Sequence, residues 1–257
     1  MISKNQIKFI RQLELKKNRK REGLFVAEGP KVVGDLLRQY QPKAVFATPE
    51  YLRDHHETPE VTEITDDELC RISFLQHPQQ VLALFPIPDQ NSSLPTNHSS
   101  LFTNHSSLSL ALDGVQDPGN LGTIIRIADW FGIDTIYCSE DTADAYNPKV
   151  VQATMGSLAH VHIIYCHLPQ MIDELPPSYP VYGTLLDGDD IYQQSLTQEG
   201  IIVMGNEGNG ISEAVRQRIN RRLLIPCFNQ GDTAESLNVA IATAITCSEF
   251  RRRVQNC

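Results

Sequence analysis

The chain has 257 residues, of which 41% are hydrophobic and 21% charged, with 15 Gly and 15 Pro. This composition excludes collagen-like, mucin-like and wholly disordered chains, and the length suits one large domain or two modest ones. No apolar run approaches the roughly 20 residues of a membrane helix, and the opening MISKNQIKFIRQLELKKNRKR lacks a signal peptide's apolar stretch, so a cytoplasmic protein without a membrane partner is expected.

The formal net charge of -9 hides an uneven distribution: residues 1–22 carry +6, residues 216–257 carry +4, and the stretch between carries -19. Both basic ends can meet phosphate while the acidic middle keeps the chain soluble; solvated helix faces are the plain alternative. Six cysteines, at 70, 138, 166, 227, 247 and 257, form no CxxC pair and no tight cluster, so they read as reduced thiols rather than zinc ligands or a disulfide framework.

In chain order, the pattern predicts a basic helix near 4–18, a strand at 25–29, an amphipathic helix near 30–40, and strands at 44–48 and 81–85. Residues 1–88 thus form a small α/β module. A polar tract follows in which TNHSSL occurs at 96–101 and again at 103–108. Such a tract buries too little surface to offset its ordering entropy, so 89–108 is expected to be a flexible linker. Its His98 and His105 lack the further ligands a metal needs.

From 109 to 257 the pattern is regular. Apolar runs at 110–115, 135–138, 161–165, 181–186, 201–205 and 223–226 alternate with helical stretches, which predicts a mostly parallel sheet with helices on both faces. The last helix is expected to start after Asp232 as N-cap, with Glu235 completing a capping box, and to run to about Arg253. His160 and His162 lie at strand spacing among apolar residues, which favours a structural role over metal ligation. Ligands of such sheets bind beyond the carboxyl ends of the strands.

Three loops follow strands there. In DGVQDPGNLGTIIRIADWFG (113–132), Pro118-Gly119 reads as a turn and Asn120 as the cap of the next helix. Arg126 on that helix either pairs with Asp129 or stacks on Trp130, or else its guanidinium fork grips a phosphate beside the reacting group. In IIVMGNEGNGIS (201–212), Gly205 and Gly210 have the spacing of a P-loop, but Ile211 stands where that motif needs Lys; GxGxxG is also absent. These glycines allow close backbone approach and Glu207 offers a carboxylate, although a plain tight turn explains the loop equally well. In LLIPCFNQGDTAESLNVAIATAI (223–245), Ser236 and Asn238 fall in the expected first turn of a helix of small apolar residues.

Taken together, NLGTIIRIADWFG, MGNEGNGIS and IP...ESLNVA, each after a strand and in this order, resemble the SpoU/TrmH-type RNA ribose 2'-O-methyltransferases of the SPOUT superfamily. FVAEGPKVVGDLL resembles the small substrate-binding module often fused ahead of that catalytic domain. The resemblance implies an α/β fold whose C-terminal domain is knotted as a trefoil, and a homodimer formed through it. It implies S-adenosylmethionine as methyl donor and S-adenosylhomocysteine as product, with no metal. The cofactor contacts carry over to Gly205, Asn206, Glu207, Gly210, Ile225, Pro226, Ser236, Leu237 and Asn238. The catalytic set becomes Asn120, Arg126, Glu207, Ser236 and Asn238. Structured RNA is the implied substrate, with rRNA favoured over tRNA. The segment between Pro226 and Glu235 is longer than in the commonest form of the motif. A non-catalytic RNA-binding or ribosome-associated protein retaining the fold is the alternative.

Overall fold

The computed structural model describes residues 1–56, 61–88, 108–229, 231 and 236–254. The linker expected at 89–108, its histidines and the Asp232–Glu235 capping box therefore fall outside the described residues, apart from Leu108, which opens a strand. The chain divides into two compact units, Met1–Pro88 with Asp144–Ala159, and Asp89–Ala143 with His160–Cys257.

The first unit holds a sheet of β1 (Leu24–Glu28), β4 (Val81–Pro86), β2 (Ala44–Ala47) and β3 (Val61–Glu63), in that spatial order. The basic helix near 4–18 is in fact two, α1 (Lys4–Gln12) and α2 (Lys16–Glu22). The break is stabilised by Asn18, whose side-chain amide donates to the Gln12 carbonyl at 2.8 Å, and by buried Leu13. Gly29, at φ 85, turns β1 into α3 (Pro30–Leu37), a conformation that only glycine adopts without strain. Two short helices, α4 (Pro49–Asp54) and α5 (Asp66–Ile72), complete the set, the latter closed by a Thr65/Glu68 capping box. Ile10, Leu13, Val26, Phe46, Leu69, Ile72 and Leu82 form one apolar cluster here.

Residues 144–159, expected within the catalytic domain, cluster with this unit. Asp144 forms an ion pair of 2.6 Å with buried Arg19, the Tyr146 ring packs tilted against Phe25 with centroids 5.1 Å apart, and α7 (Pro148–Ala153) packs on β1. Arg19 also donates to the Leu13 and Glu14 carbonyls, so its buried guanidinium is satisfied on three sides.

In the second unit, the described residues form a wholly parallel sheet in the order β10 (Arg221–Leu224), β8 (Val181–Asp190), β9 (Gly200–Gly205), β5 (Leu108–Asp113), β6 (Thr135–Cys138) and β7 (His162–Tyr165). The helices are α6 (Pro118–Trp130), α8 (Leu168–Asp173), α9 (Glu213–Arg216) and α10 (Val239–Val254). The chain leaves β5 for β6 on one side, yet β9 pairs with β5 on the other. The strand order therefore reverses between β5 and β9, where a parallel sheet opens a crevice for ligands.

Burial pushes the Cys247 thiol up to about 12 and the Cys166 thiol up to about 11; Cys138 is raised as well. Burial thus favours the protonated thiol, and Cys70, Cys138, Cys166, Cys227 and Cys247 are free cysteines, in keeping with the reduced thiols expected. Among the described residues, no helix is long and apolar enough to cross a membrane.

Candidate active site

The reversal point is closed by a register pair, Asp113 against Gly205, which sets the first and second loops side by side. The backbone of the second loop folds back on itself: Asn206 and Gly210 exchange two backbone hydrogen bonds of 2.9 Å. This return brings the chain so near Gly205 that a Cβ there would lie 2.3 Å from the Gly210 carbonyl carbon. Glycine is required by that approach rather than by its own dihedral. Gly210, at φ 69, needs glycine for the turn itself.

The helix that opens the first loop is capped differently from expectation. Asp117, not Asn120, is the N-cap of α6, and its carboxylate accepts from the Asn120 backbone at 2.8 Å. Pro118 takes the first helical position, where its missing N–H costs nothing, instead of forming a turn with Gly119. Asn120 is thereby released from capping, and its side chain bonds to residues of the other two loops. A similar correction applies to the third loop. The final helix begins at Val239, with Asn238 accepting from the Ala240 and Ile241 amides at 2.9 and 3.3 Å. Ser236 and Asn238 precede this helix instead of lying in its first turn.

With those caps in place, three loops meet. Asn238 Nδ2 donates to Asn120 Oδ1 at 3.0 Å, and Asn120 Nδ2 donates to Glu207 Oε1 at 2.8 Å. Asn206 points the other way, donating to the Gly114 carbonyl at 2.7 Å and accepting from the Gly208 and Asn209 amides. Its side chain is committed to shaping the loop. Sequence reasoning passed over Asp113, whose buried carboxylate accepts from the Ser212 amide at 2.7 Å and ties β5 to the start of α9. The available signal was an aspartate closing the apolar strand LALD.

Arg126 lies on the exposed side of α6 and has no hydrogen-bond or ion-pair partner among the described residues. The structural pairing considered for it is not formed: Asp129 instead contacts His160 at 3.3 Å, and Trp130 is 85% exposed. Ile225 and Pro226 are half-buried, while Ser236 and Leu237 are exposed. Ile225–Phe228 make no backbone hydrogen bond with other described residues.

Comparison with known proteins agrees with this architecture. Residues 107–248 match the model of the SpoU rRNA Methylase family, and residues 4–83 match the MRM3-like substrate binding domain. A Bacillus subtilis (strain 168) relative, named 23S rRNA (guanosine(2553)-2'-O)-methyltransferase RlmP, is 33% identical over 259 residues, covering 97% of each chain. A TrmH-family structure from Porphyromonas gingivalis superposes with a TM-score of 0.86 at 43% identity, covering 98% of this chain and 99% of that one. An AdoMet-bound rRNA methyltransferase from Sinorhizobium meliloti gives 0.83 at 29% identity, covering 99% and 97%. The chain belongs to the SpoU rRNA methylase family.

Proposed function

We propose that this protein methylates a ribose 2'-hydroxyl of rRNA using S-adenosylmethionine. The observation that carries the reading is the junction of Asn120, Glu207 and Asn238, drawn from three separate loops at the point where the sheet order reverses. The names of the Bacillus relative and of the Sinorhizobium structure support the rRNA target and the methyl donor.

The residues present fit that donor. Main-chain groups over Ile225–Phe228, which have no backbone partner among the described residues, suit the edge of a nucleobase, and Ile225, Pro226 and Leu237 supply apolar cover. Gly205 and Gly210 hold the second loop close, with Ser236 and Asn238 at the mouth of α10. When bound, the donor supplies an electrophilic methyl on a sulfonium leaving group. The chain's own task is then alignment and charge handling. Arg126, exposed and uncommitted, grips an RNA phosphate and stabilises charge that develops on the attacking oxygen. Removing a proton from a guanidinium near neutrality costs several kcal/mol, so a base role for it is disfavoured. Asn120 fixes Glu207 by hydrogen bonding.

RNA binding is assigned to the first unit. On α2, Lys17, Lys20 and Arg21 are exposed on one side while Asn18 and Arg19 are buried on the other. The C-terminal arginines are mostly consumed within the fold. Arg216 and Arg222 pair with Asp187, Arg218 with Asp173 and Arg252 with Glu249, while Arg251 donates to the Phe131 and Gly132 carbonyls. The phosphate contacts expected of both chain ends therefore concentrate on the amino-terminal one.

A trefoil knot and a homodimer in the cytoplasm belong to the same proposal. β10 lies at the sheet edge, yet α10, the helix after it, packs on α6 and β9. Exposed Trp130, Leu237 and Ile241, on or beside the packed pair α6 and α10, offer apolar surface to a second copy. The reading is tested by incubating rRNA with protein and labelled donor and then hydrolysing in alkali. Label in alkali-resistant dinucleotides supports ribose 2'-O-methylation, and label confined to mononucleotides overturns it.

A further inference from the structure

We propose that Arg11, backed by Phe74, is a stacking platform for an unpaired nucleobase of the RNA, an inference that deepens the assignment of RNA binding to the first unit and rests on it. The nine residues of α1, KNQIKFIRQ, hold three cations and no carboxylate. Lys4, Lys8 and Arg11 stand four and three positions apart, so they share one face of the helix over about 10 Å, while Ile10 is buried. All three are exposed, and none forms an ion pair among the described residues. Positive charge that its own helix leaves uncompensated suits phosphate.

Arg11 differs from the two lysines in being held. Its guanidinium lies over the Phe74 ring, 4.6 Å from the ring centroid, and donates to the carbonyl of Ser73, the C-terminal cap of α5. The ring is fixed in turn. The Phe74 amide donates to the Glu28 carboxylate at 2.8 Å, the Ser73 hydroxyl donates to the same carboxylate, and Glu28 is buried at the end of β1. Phe74 itself packs against the apolar cluster of this unit. Arg11 is nonetheless an exposed residue, so a flat cation stands at the surface with its position set before any ligand arrives. A nucleobase stacks on such a plane, whatever its identity, because every base has a π face. Bases inside a duplex are already stacked on their neighbours, which commits the platform to a single-stranded segment. Lys8 and Lys4, one and two turns back along the same face, then meet the phosphates of that segment.

Binding of the full-length protein to labelled oligoadenylate, single-stranded or annealed to oligouridylate, is measured by anisotropy at several salt concentrations. Arg11→Lys keeps the charge and loses the plane, Phe74→Leu keeps an apolar side chain and loses the ring, and Lys8→Ala removes charge alone. The first two are expected to weaken single-strand binding about 10-fold each, with duplex binding within about 2-fold of wild type and the slope of log K against log salt unchanged. Lys8→Ala should instead flatten the single-strand slope by about 0.7. A urea midpoint for each variant separates loss of the platform from loss of the fold, and Arg11→Lys, which leaves the apolar cluster untouched, decides the matter should Phe74→Leu unfold. Single-strand affinity equal to wild type in Arg11→Lys, equal losses for single strand and duplex, or a wild type that binds neither form overturns the proposal. The functional reading fails separately: absence of methyl transfer to rRNA, beside single-strand binding that depends on Arg11 and Phe74, leaves the platform standing and removes the reading.

Discussion

Asn238 and Asn120, 118 residues apart in sequence, share a side-chain hydrogen bond of 3.0 Å that links the start of the last helix to the first turn of α6. Because Asn120 also holds Glu207, one amide connects all three loops of the candidate active site. The catalytic consequences proposed here follow from keeping that connection intact while Arg126, on the same helix as Asn120, has no partner among the described residues.

Arg126→Lys is expected to abolish most turnover while leaving S-adenosylhomocysteine affinity nearly unchanged, since lysine keeps the charge but loses the two-pronged grip on phosphate. Steady-state kinetics beside calorimetric titration measure this. Wild-type turnover in the variant would remove Arg126 from the mechanism.

Gly205→Ala places a methyl group 2.3 Å from the Gly210 carbonyl carbon and 2.4 Å from the Ile211 nitrogen, both backbone atoms that no rotamer can move. The second loop must shift. Displacement of Glu207 on the order of an ångström is expected to cost about 100-fold in turnover, together with weaker binding of S-adenosylhomocysteine. Unchanged values for both would show that the loop is not part of the site.

Asp117→Ala removes the N-cap of α6 and is expected to lower stability by about 1 kcal/mol, read as a lower urea midpoint at unchanged slope. A midpoint equal to wild type would mean that water replaces the cap without loss. The same variant frees the Asn120 backbone amide, so a fall in turnover at full folding should accompany it.

The buried Glu28 carboxylate accepts from the Ser73 hydroxyl and the Phe74 amide, yet burial dominates and raises its pKa above the ordinary value. The folded protein therefore holds that proton more tightly than the unfolded chain. The sign follows: stability from this residue is greatest below the unfolded pKa and declines as pH rises through the folded one. Glu68 and Asp173, whose pKa values are lowered by hydrogen bonds, act in the opposite sense, losing their contribution as pH falls. The difference between wild type and Glu28→Gln isolates the first effect. Denaturation from pH 4 to 8 should show the variant gaining on wild type as pH rises, and parallel curves would contradict it.

Lys17→Ala with Lys20→Ala is expected to weaken rRNA binding and flatten the dependence of log K on log salt by about one per lysine that met a phosphate. Anisotropy at several salt concentrations provides the slope. A slope equal to wild type would assign these lysines to solvent.

Much of this arrangement was legible in the sequence, and the failures share a cause. Alternating apolar runs placed the parallel strands, whereas Asn120, Glu207 and Asn238 were singled out by the resemblance of the three loops to a known family, since each also has a plain local reading. Capping was misread. Asp117 and Asn120 are both good caps by residue type, and the choice fell to Asp117 because Asn120 bonds to residues 87 and 118 positions away, which local pattern does not contain. The clustering of residues 144–159 with the first unit likewise rests on a distant partner, Arg19, 125 positions before Asp144. Basic runs were equally ambiguous until ion pairs to Asp173, Asp187 and Glu249 separated the consumed arginines from the free lysines.

The most direct test of the central claim is transfer of labelled methyl from S-adenosylmethionine to unmodified rRNA and, in parallel, to unmodified tRNA, with Arg126→Ala as control and alkali resistance to locate the methyl group. The account predicts alkali-resistant label in the rRNA pool, lost in the variant. Label in rRNA that survives Arg126→Ala, or cofactor binding absent altogether beside intact RNA binding, would contradict it.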